Sequence, residues 1–367
     1  MTVFKNIPTF VLTVACALLI SSCAKEETNK TEQAEEGYEP TPLALQTPVL
    51  FQEKLDSPVI PADNPQTVEG VALGKKLFFD PILSGNNTLA CAGCHIQEEG
   101  FSDSRQFSPG IDGVEGRRNS MPLFNLAWNH KETFFWDGRA ISLENQALEP
   151  VIDPVEMHNT WPNAVSSLQA APEYPELFAK AFGTSTIDST LVSKAIAQFV
   201  RTLISGNSRY DQYLRGEIEL TQAEQNGLNV YKDEERGDCF HCHGTPPNNL
   251  LWTDNDFHNN GLDKTFDDLG RGAITGDPRE FGLFKTPSLR NLAYTAPYMH
   301  DGRFETLEEV IDHYSEGLVY SETIDPLMKA VGEGGVQLSE QDKQDLKAFL
   351  LALSDESFIN NPDFQNK

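Results

Sequence analysis

The sequence predicts a mainly α-helical protein of two small, related domains joined by long loops. Three observations lead there: apolar residues recur at helical spacing, strand-like alternation is sparse, and a set of short words appears twice in the same order. Leu191, Val192, Ile196, Phe199, Val200 and Leu203 fall on one helical face and are expected to close the first domain. Thr221-x-x-Glu224 and Ser339-x-x-Asp342 read as helix starts, the second leading into Leu346, Phe349, Leu350 and Leu353. The stretch from Asn248 to Gly282 is polar and rich in turn residues, so it reads as loop. Ser205-Gly206-Asn207 marks the expected boundary, giving domains at 46–205 and 206–355.

The 367 residues carry 28 basic against 55 acidic side chains, a formal net charge of −27 at pH 7. Phosphate repels such a polyanion, and no Lys/Arg cluster offsets the total, which excludes a nucleic-acid binder. The apolar run Phe10 to Ile20, after Lys5, is too short to cross a bilayer and reads as the centre of a secretory signal over residues 1–22. Ile20-Ser21-Ser22-Cys23 is similar to a bacterial lipobox, in which cleavage leaves Cys23 as the lipid-carrying first residue; the rival is an ordinary signal with a chance cysteine. Residues 23–45 are polar and acidic without apolar periodicity and are expected to form a flexible tether. The expected location is the periplasm, with the N-terminal lipid as the only membrane contact.

Of six cysteines, Cys16 leaves with the signal and Cys23 is the expected anchor. The other four form Cys91-Ala92-Gly93-Cys94-His95 and Cys239-Phe240-His241-Cys242-His243, which is C-x-x-C-H twice, the c-type haem attachment pattern. Two thiols add to the porphyrin vinyl groups, and the adjacent histidine is placed under the ring as the proximal iron ligand. Zinc or a redox disulfide is the rival reading of paired C-x-x-C motifs, but the histidine directly after both pairs and the export signal favour two haem c groups.

The repeated words follow each haem motif. Asn125-Leu126-Ala127, Trp136-Asp137-Gly138-Arg139 and Leu143-Glu144 in the first half answer to Asn291-Leu292-Ala293, His300-Asp301-Gly302-Arg303 and Leu307-Glu308 in the second. Counting on from Asp-Gly-Arg without a gap sets Pro150 opposite Tyr314. Thr306-x-x-Glu309 reads as a capping box, after which Leu307, Val310, Ile311 and Tyr314 share one helical face. If each repeat turns this face to its own haem, the second iron meets a phenol oxygen while the first meets a proline without a donor atom. One iron is then capped and the other open. The rival for Tyr314 is a core tyrosine with a satisfied hydroxyl. The other candidate ligands are His130, His158, His258, His300 and His313, with Met299 and Met328 as thioethers; His158, two residues after Glu156, is the strongest competitor for the first iron. His241 reads as a solvent-facing spacer.

Residues 70 to 320 resemble the bacterial di-haem cytochrome c peroxidases and the related MauG-type methylamine-utilisation proteins. The resemblance is carried by Leu73-Gly74-Lys75-Lys76-Leu77-Phe78-Phe79-Asp80, the first haem motif, Arg118-Asn119-Ser120, Phe135-Trp136-Asp137-Gly138-Arg139, Pro154-Val155-Glu156-Met157, and the run from Thr295 to Gly302. It implies that the haem at Cys91, Cys94 and His95 is peroxidatic, with Gln146, Pro150 and Glu156 on its distal side. The haem at Cys239, Cys242 and His243 is then the electron-transfer centre, with Trp136 between the two. A calcium ion is implied near Trp136, held by the Asn119 side chain and the backbone carbonyls of Thr295 and Pro297; oxygen-only ligation suits that ion. Two departures stand out. Many of these peroxidases carry a removable histidine ligand in the loop that is here Pro109 to Gly116, where Ile111 takes its place, and they carry methionine where this chain, similar to MauG-type proteins, has Tyr314.

Three functions follow as expectations. The first is reduction of hydrogen peroxide to water with electrons from a small c-type cytochrome or similar donor, Glu156 moving the peroxide proton. The second is a MauG-like oxidase drawing electrons from a protein or organic substrate, and the third a non-catalytic di-haem electron carrier. An acidic surface suits a basic partner.

Overall fold

Each half of the chain is framed by helices that cross where a glycine removes the obstacle. The computed structural model describes residues 38–245 and 247–366. Its main helices are α1 (Val68–Phe79), α2 (Leu143–Ile152) and α3 (Ser189–Arg201) in the first half, and α4 (Gln222–Lys232), α5 (Leu307–Glu316) and α6 (Glu340–Leu351) in the second. Side-chain caps start all six: Thr67, Ser142, Asp188, Thr221, Thr306 and Ser339 each accept a bond from a backbone N–H of the first turn. The capping boxes expected at Thr221 and Thr306 are both formed.

Helix α1 crosses α3 at Gly74, where a Cβ would sit 1.8 Å from the Ala195 carbonyl oxygen. Helix α4 crosses α6 at Gly227, where a Cβ would sit 1.9 Å from the Asp345 carbonyl oxygen. Only a residue without a Cβ permits either crossing. The two haem motifs follow α1 and α4, and α2 and α5 follow the motifs in turn. Both are ten residues long, so Pro150 and Tyr314 occupy the same position in their helices, as the ungapped repeat predicts. Isolated bridges Phe134↔Ala140 and Tyr298↔Phe304 flank the two Asp-Gly-Arg turns in the same way, with Gly138 and Gly302 in left-handed conformation.

The apolar core follows this plan. Leu73, Leu77, Phe78, Phe101 and Phe199 lie in the first cluster, Tyr231, Trp252, Phe349 and Leu353 in the second, and Phe51, Trp128 and Leu250 form a third. The expected boundary is a knot of buried polar bonds: Ser205 N donates to Asn125 Oδ1, and Gly206 N and Asn207 N to Asp355 Oδ2. Beside it Arg290 and Asp211 form a fully buried bidentate pair at 2.8 Å. The described residues group as one compact unit.

The signal, the lipobox Cys23 and the tether as far as residue 37 lie outside the described residues. The remainder of the expected tether is docked, with Tyr38 donating to the Ala181 carbonyl at 2.8 Å and Leu43 N to Gln66 O at 3.0 Å. The C-terminal tail beyond residue 355, which the sequence pattern left unassigned, returns to the first half, where Phe358 and Phe364 pack on Phe101. Among the described residues no helix is long and apolar enough to cross a membrane. Among the described residues the one paired sheet, β1 (Phe257–His258) antiparallel to β2 (Phe284–Lys285), lies in the polar stretch between α4 and α5. Its Lys285 N donates to the Trp136 carbonyl at 2.8 Å, tying that stretch to the first half.

Candidate functional site

Cys91 to Gly93 form a tight turn that presents Cys94 and His95. The His95 Nδ1 lies 2.9 Å from the Phe101 carbonyl oxygen. Phe101 holds a left-handed conformation (φ 58°) that aims this carbonyl. In the second half His243 Nδ1 lies 3.2 Å from the carbonyl oxygen of Trp252, again a left-handed aromatic residue (φ 57°). A ligand imidazole normally donates its second ring nitrogen to such a carbonyl, which fixes the tautomer and leaves Nε2 for the metal. None of the four cysteines is paired in a disulfide. Burial pushes the Cys91 and Cys239 thiols up to about 12, unlike the acidic thiolates of redox motifs. The residues present therefore fit two thioether-linked haems with Nε2 ligation.

A cavity of about 1120 Å³ opens on the first motif, lined by Cys91, Cys94 and His95 together with Gln146, Pro150 and Glu156. All three distal residues expected from the sequence thus face the same space as the attachment motif. The Glu156 carboxyl is pushed up to about 7, mainly by burial and further by Asp153 and Glu149, with Arg139 opposing. It is close enough to the thiols for its charge to raise those of Cys91 and Cys94. The loop from Pro109 to Gly116 packs on this segment, Ile111 N donating to the Glu156 carbonyl at 2.9 Å. His158 turns away, bonding Asp112 at 2.5 Å on the surface, and so does not compete for the first iron.

At the second motif the Tyr314 hydroxyl accepts from Asn260 Nδ2 at 3.0 Å, and the same amide reaches Met299 Sδ at 3.5 Å. Burial raises the phenol to about 12, the Asn260 bond opposes, and the Cys242 and Cys239 thiols add to the rise, which sets Tyr314 close to the attachment motif. His313 is engaged elsewhere, Nε2 to the Asn260 carbonyl at 3.0 Å. Of the other histidines, His258 is gripped by Asp325 and Asp254 at 2.6 and 2.9 Å, His300 stacks on Phe284 with centroids 3.6 Å apart, and His130 is exposed. His241 pairs with Asp238 at 2.8 Å and is only partly exposed, less solvent-facing than its position suggested.

Trp136 is buried at the junction of the halves, its Nε1 donating to the Asn119 carbonyl at 2.9 Å. Asn119 Nδ2 donates to Arg105 O at 3.0 Å, and its backbone N to His300 O at 2.8 Å. The Thr295 methyl packs on Gly100. Sequence reasoning did not single out Lys285, buried in the same cavity, or the roles of Arg118, which holds Asp137 at 2.6 Å and Asp268 at 2.7 and 2.8 Å. A lysine inside a run of loop residues carries no local signal of burial.

Two C-x-x-C-H loops with oriented histidines, set in repeated helical frames, define a di-haem c-type protein. The family model "Di-haem cytochrome c peroxidase" matches residues 68–219. The chain is 40% identical over 301 residues to the methylamine utilization protein MauG of Methylorubrum extorquens, with 81% of each chain covered. It is 34% identical to the cytochrome c551 peroxidase of Nitrosomonas europaea, covering 69% of this chain and 75% of that one. Among solved structures it is similar to a MauG-like protein associated with microbial copper homeostasis, with TM-score 0.78, 37% identity, and 88% and 99% of the two chains covered. The chain belongs to the di-haem cytochrome c peroxidase family and is an oxidoreductase of that family, whose membership implies two haem c groups.

Proposed function

We propose that the protein reduces hydrogen peroxide to water in the periplasm, at a first haem with an open distal side, using electrons that enter through the second haem from a small c-type cytochrome. The observation that carries it is the shared cavity: Glu156 and Gln146 stand with a donor-free Pro150 beside the motif of Cys91, Cys94 and His95. When bound, the haems supply iron that takes peroxide oxygen and passes single electrons. Glu156, poised near 7, would accept the proton that peroxide releases and return it to the departing oxygen, which leaves as the first water; two donor electrons and two protons from solvent convert the remaining oxygen to the second, so that H2O2 + 2 e− + 2 H+ gives 2 H2O. Gln146 offers an amide to orient the peroxide. Tyr314, whose hydroxyl accepts from Asn260, would hold the second iron, and as an anionic oxygen would lower that centre's potential relative to a thioether. Trp136 lies on the route between the centres.

A calcium ion near Trp136, held by Asn119 Oδ1 and the carbonyls of Thr295 and Pro297, fits the oxygen-only donor set. A lipid on Cys23 would keep the enzyme at a membrane surface. Tyr314 and the histidine-free loop from Pro109 to Gly116 favour a second reading, a MauG-like oxidase whose electrons come from a protein or organic substrate. It is in keeping with the 40% identity to MauG. Steady-state peroxide consumption with a reduced small cytochrome separates the two. Rapid turnover, lost in Glu156→Gln, supports the peroxidase; peroxide that oxidises the protein without turning over the cytochrome refutes it and leaves the oxidase.

A further inference from the structure

Among the described residues, the junction between the halves holds a buried cation with no carboxylate in hydrogen-bond contact. Lys285, on β2, is 5% exposed and lines the cavity that opens on Cys91, Cys94 and His95. Its backbone N–H is bound to the Trp136 carbonyl, which ties β2 to the main chain of Trp136. The ammonium makes one hydrogen bond, to the Thr133 carbonyl at 2.7 Å, and lies 5.6 Å from the Phe134 ring centroid. Three donors therefore share one acceptor and one ring face. The other cations of the cavity are differently placed. Arg118 is held by Asp137 and Asp268, Arg139 by Asp137, Arg303 by Asp263 and Asp301, and Arg117 is exposed. The carboxylate whose charge reaches Lys285, Asp254, is already bonded to His258 at 2.9 Å.

A buried ammonium with no counter-ion is unfavourable, and the protein relieves it by losing the proton or by gaining an anion. Burial pulls Lys285 down to about 7, with the Asp254 charge opposing. An anion within the cavity restores the charged form. A haem in this cavity would carry two carboxylates on flexible arms, and Arg118, Arg139 and Arg303 are already engaged by Asp137, Asp268, Asp263 and Asp301.

We propose that Lys285 is the counter-ion of a propionate of the haem attached at Cys91, Cys94 and His95, anchoring that haem's edge beside Trp136. Lys285 is thereby a positioning residue that joins β2 of the second half to the cofactor of the first. The inference rests on haem attachment at the first motif and is independent of whether the protein turns over peroxide.

The test is a spectroelectrochemical titration of the di-haem protein, resolving both centres, for wild type, Lys285→Gln, Lys285→Met and Lys285→Arg. Glutamine keeps a donor for the Thr133 carbonyl and removes only the charge. A positive charge paired to the haem edge disfavours the ferric state, so its removal lowers the midpoint of the first haem. The expected change is on the order of tenfold in the oxidised-to-reduced ratio, ~59 mV for one electron. The second haem stays put, and Lys285→Arg stays near wild type. Should Lys285→Met not accumulate, Lys285→Gln against Lys285→Arg carries the same comparison. An unchanged first haem in Lys285→Gln, equal displacement of both haems, or an arginine variant that behaves like glutamine overturns the proposal.

Discussion

Replacing Glu156 by glutamine separates what this side chain does for the fold from what it does for the reaction, because the two effects have opposite signs. Burial together with Asp153 and Glu149 lifts the carboxyl from 4.5 to about 7. At ~1.4 kcal/mol for each tenfold change in proton affinity, the folded protein disfavours the ionised form by at most about 3 kcal/mol. A carboxyl whose folded value lies above its unfolded value binds its proton more tightly in the native state, so stability falls as pH rises from about 4.5 to about 7 and stays low above that. Glutamine has no charge to bury. Glu156→Gln is therefore expected to be as stable as wild type at pH 4 and more stable at pH 8. Turnover is expected to move the other way. Wild-type activity rises as pH passes about 7, where the carboxylate becomes able to take a proton, and the variant loses both this limb and about 10²- to 10⁴-fold in rate. Thermal unfolding at the two pH values, paired with stopped-flow peroxide reduction from pH 5.5 to 8.5, reads both effects. A variant that keeps the rate and the pH limb removes Glu156 from proton transfer, whatever its stability.

Tyr314→Phe keeps the ring in its pocket and deletes the oxygen; the ferric visible and EPR spectra are expected to lose one low-spin component, and identical spectra would return Tyr314 to the core. Gly74→Ala brings a methyl to 1.8 Å from the Ala195 carbonyl oxygen and should cost about 1–3 kcal/mol or more by forcing α1 off α3, read as a lowered Tm with both haems still attached. Chelation of the calcium ion proposed beside Trp136 is expected to slow electron transfer between the haems, because Asn119 accepts the Trp136 indole bond; an unchanged rate with chelator would refute the ion's placement there.

Much of the architecture was written locally. The capping boxes at Thr221 and Thr306 are contiguous four-residue signals, and both formed because the bonds they satisfy belong to the same helix turn. The register between Pro150 and Tyr314 was likewise readable, since two helices of equal length follow equivalent Asp-Gly-Arg turns without insertion. Other features depend on residues far apart in the chain. His158 looked able to reach the first iron until Asp112, on a separate loop, proved to hold it on the surface. The docking of residues 38–45 and the return of Phe358 and Phe364 to Phe101 also escaped the pattern, because short segments carry no periodicity by which to judge their burial.

By itself the sequence determined the covalent chemistry: two pairs of cysteines, each followed at once by histidine, commit the chain to two haems because thioether attachment and proximal ligation require those neighbours and nothing more distant. Tertiary structure decided the electrostatics. Whether Glu156 titrates near neutrality, and whether Lys285 keeps a partner, depends on how much water and which charges remain around each group once the halves close. Desolvation and Coulomb energy are set by distances across the fold, and linear order along the chain does not encode them.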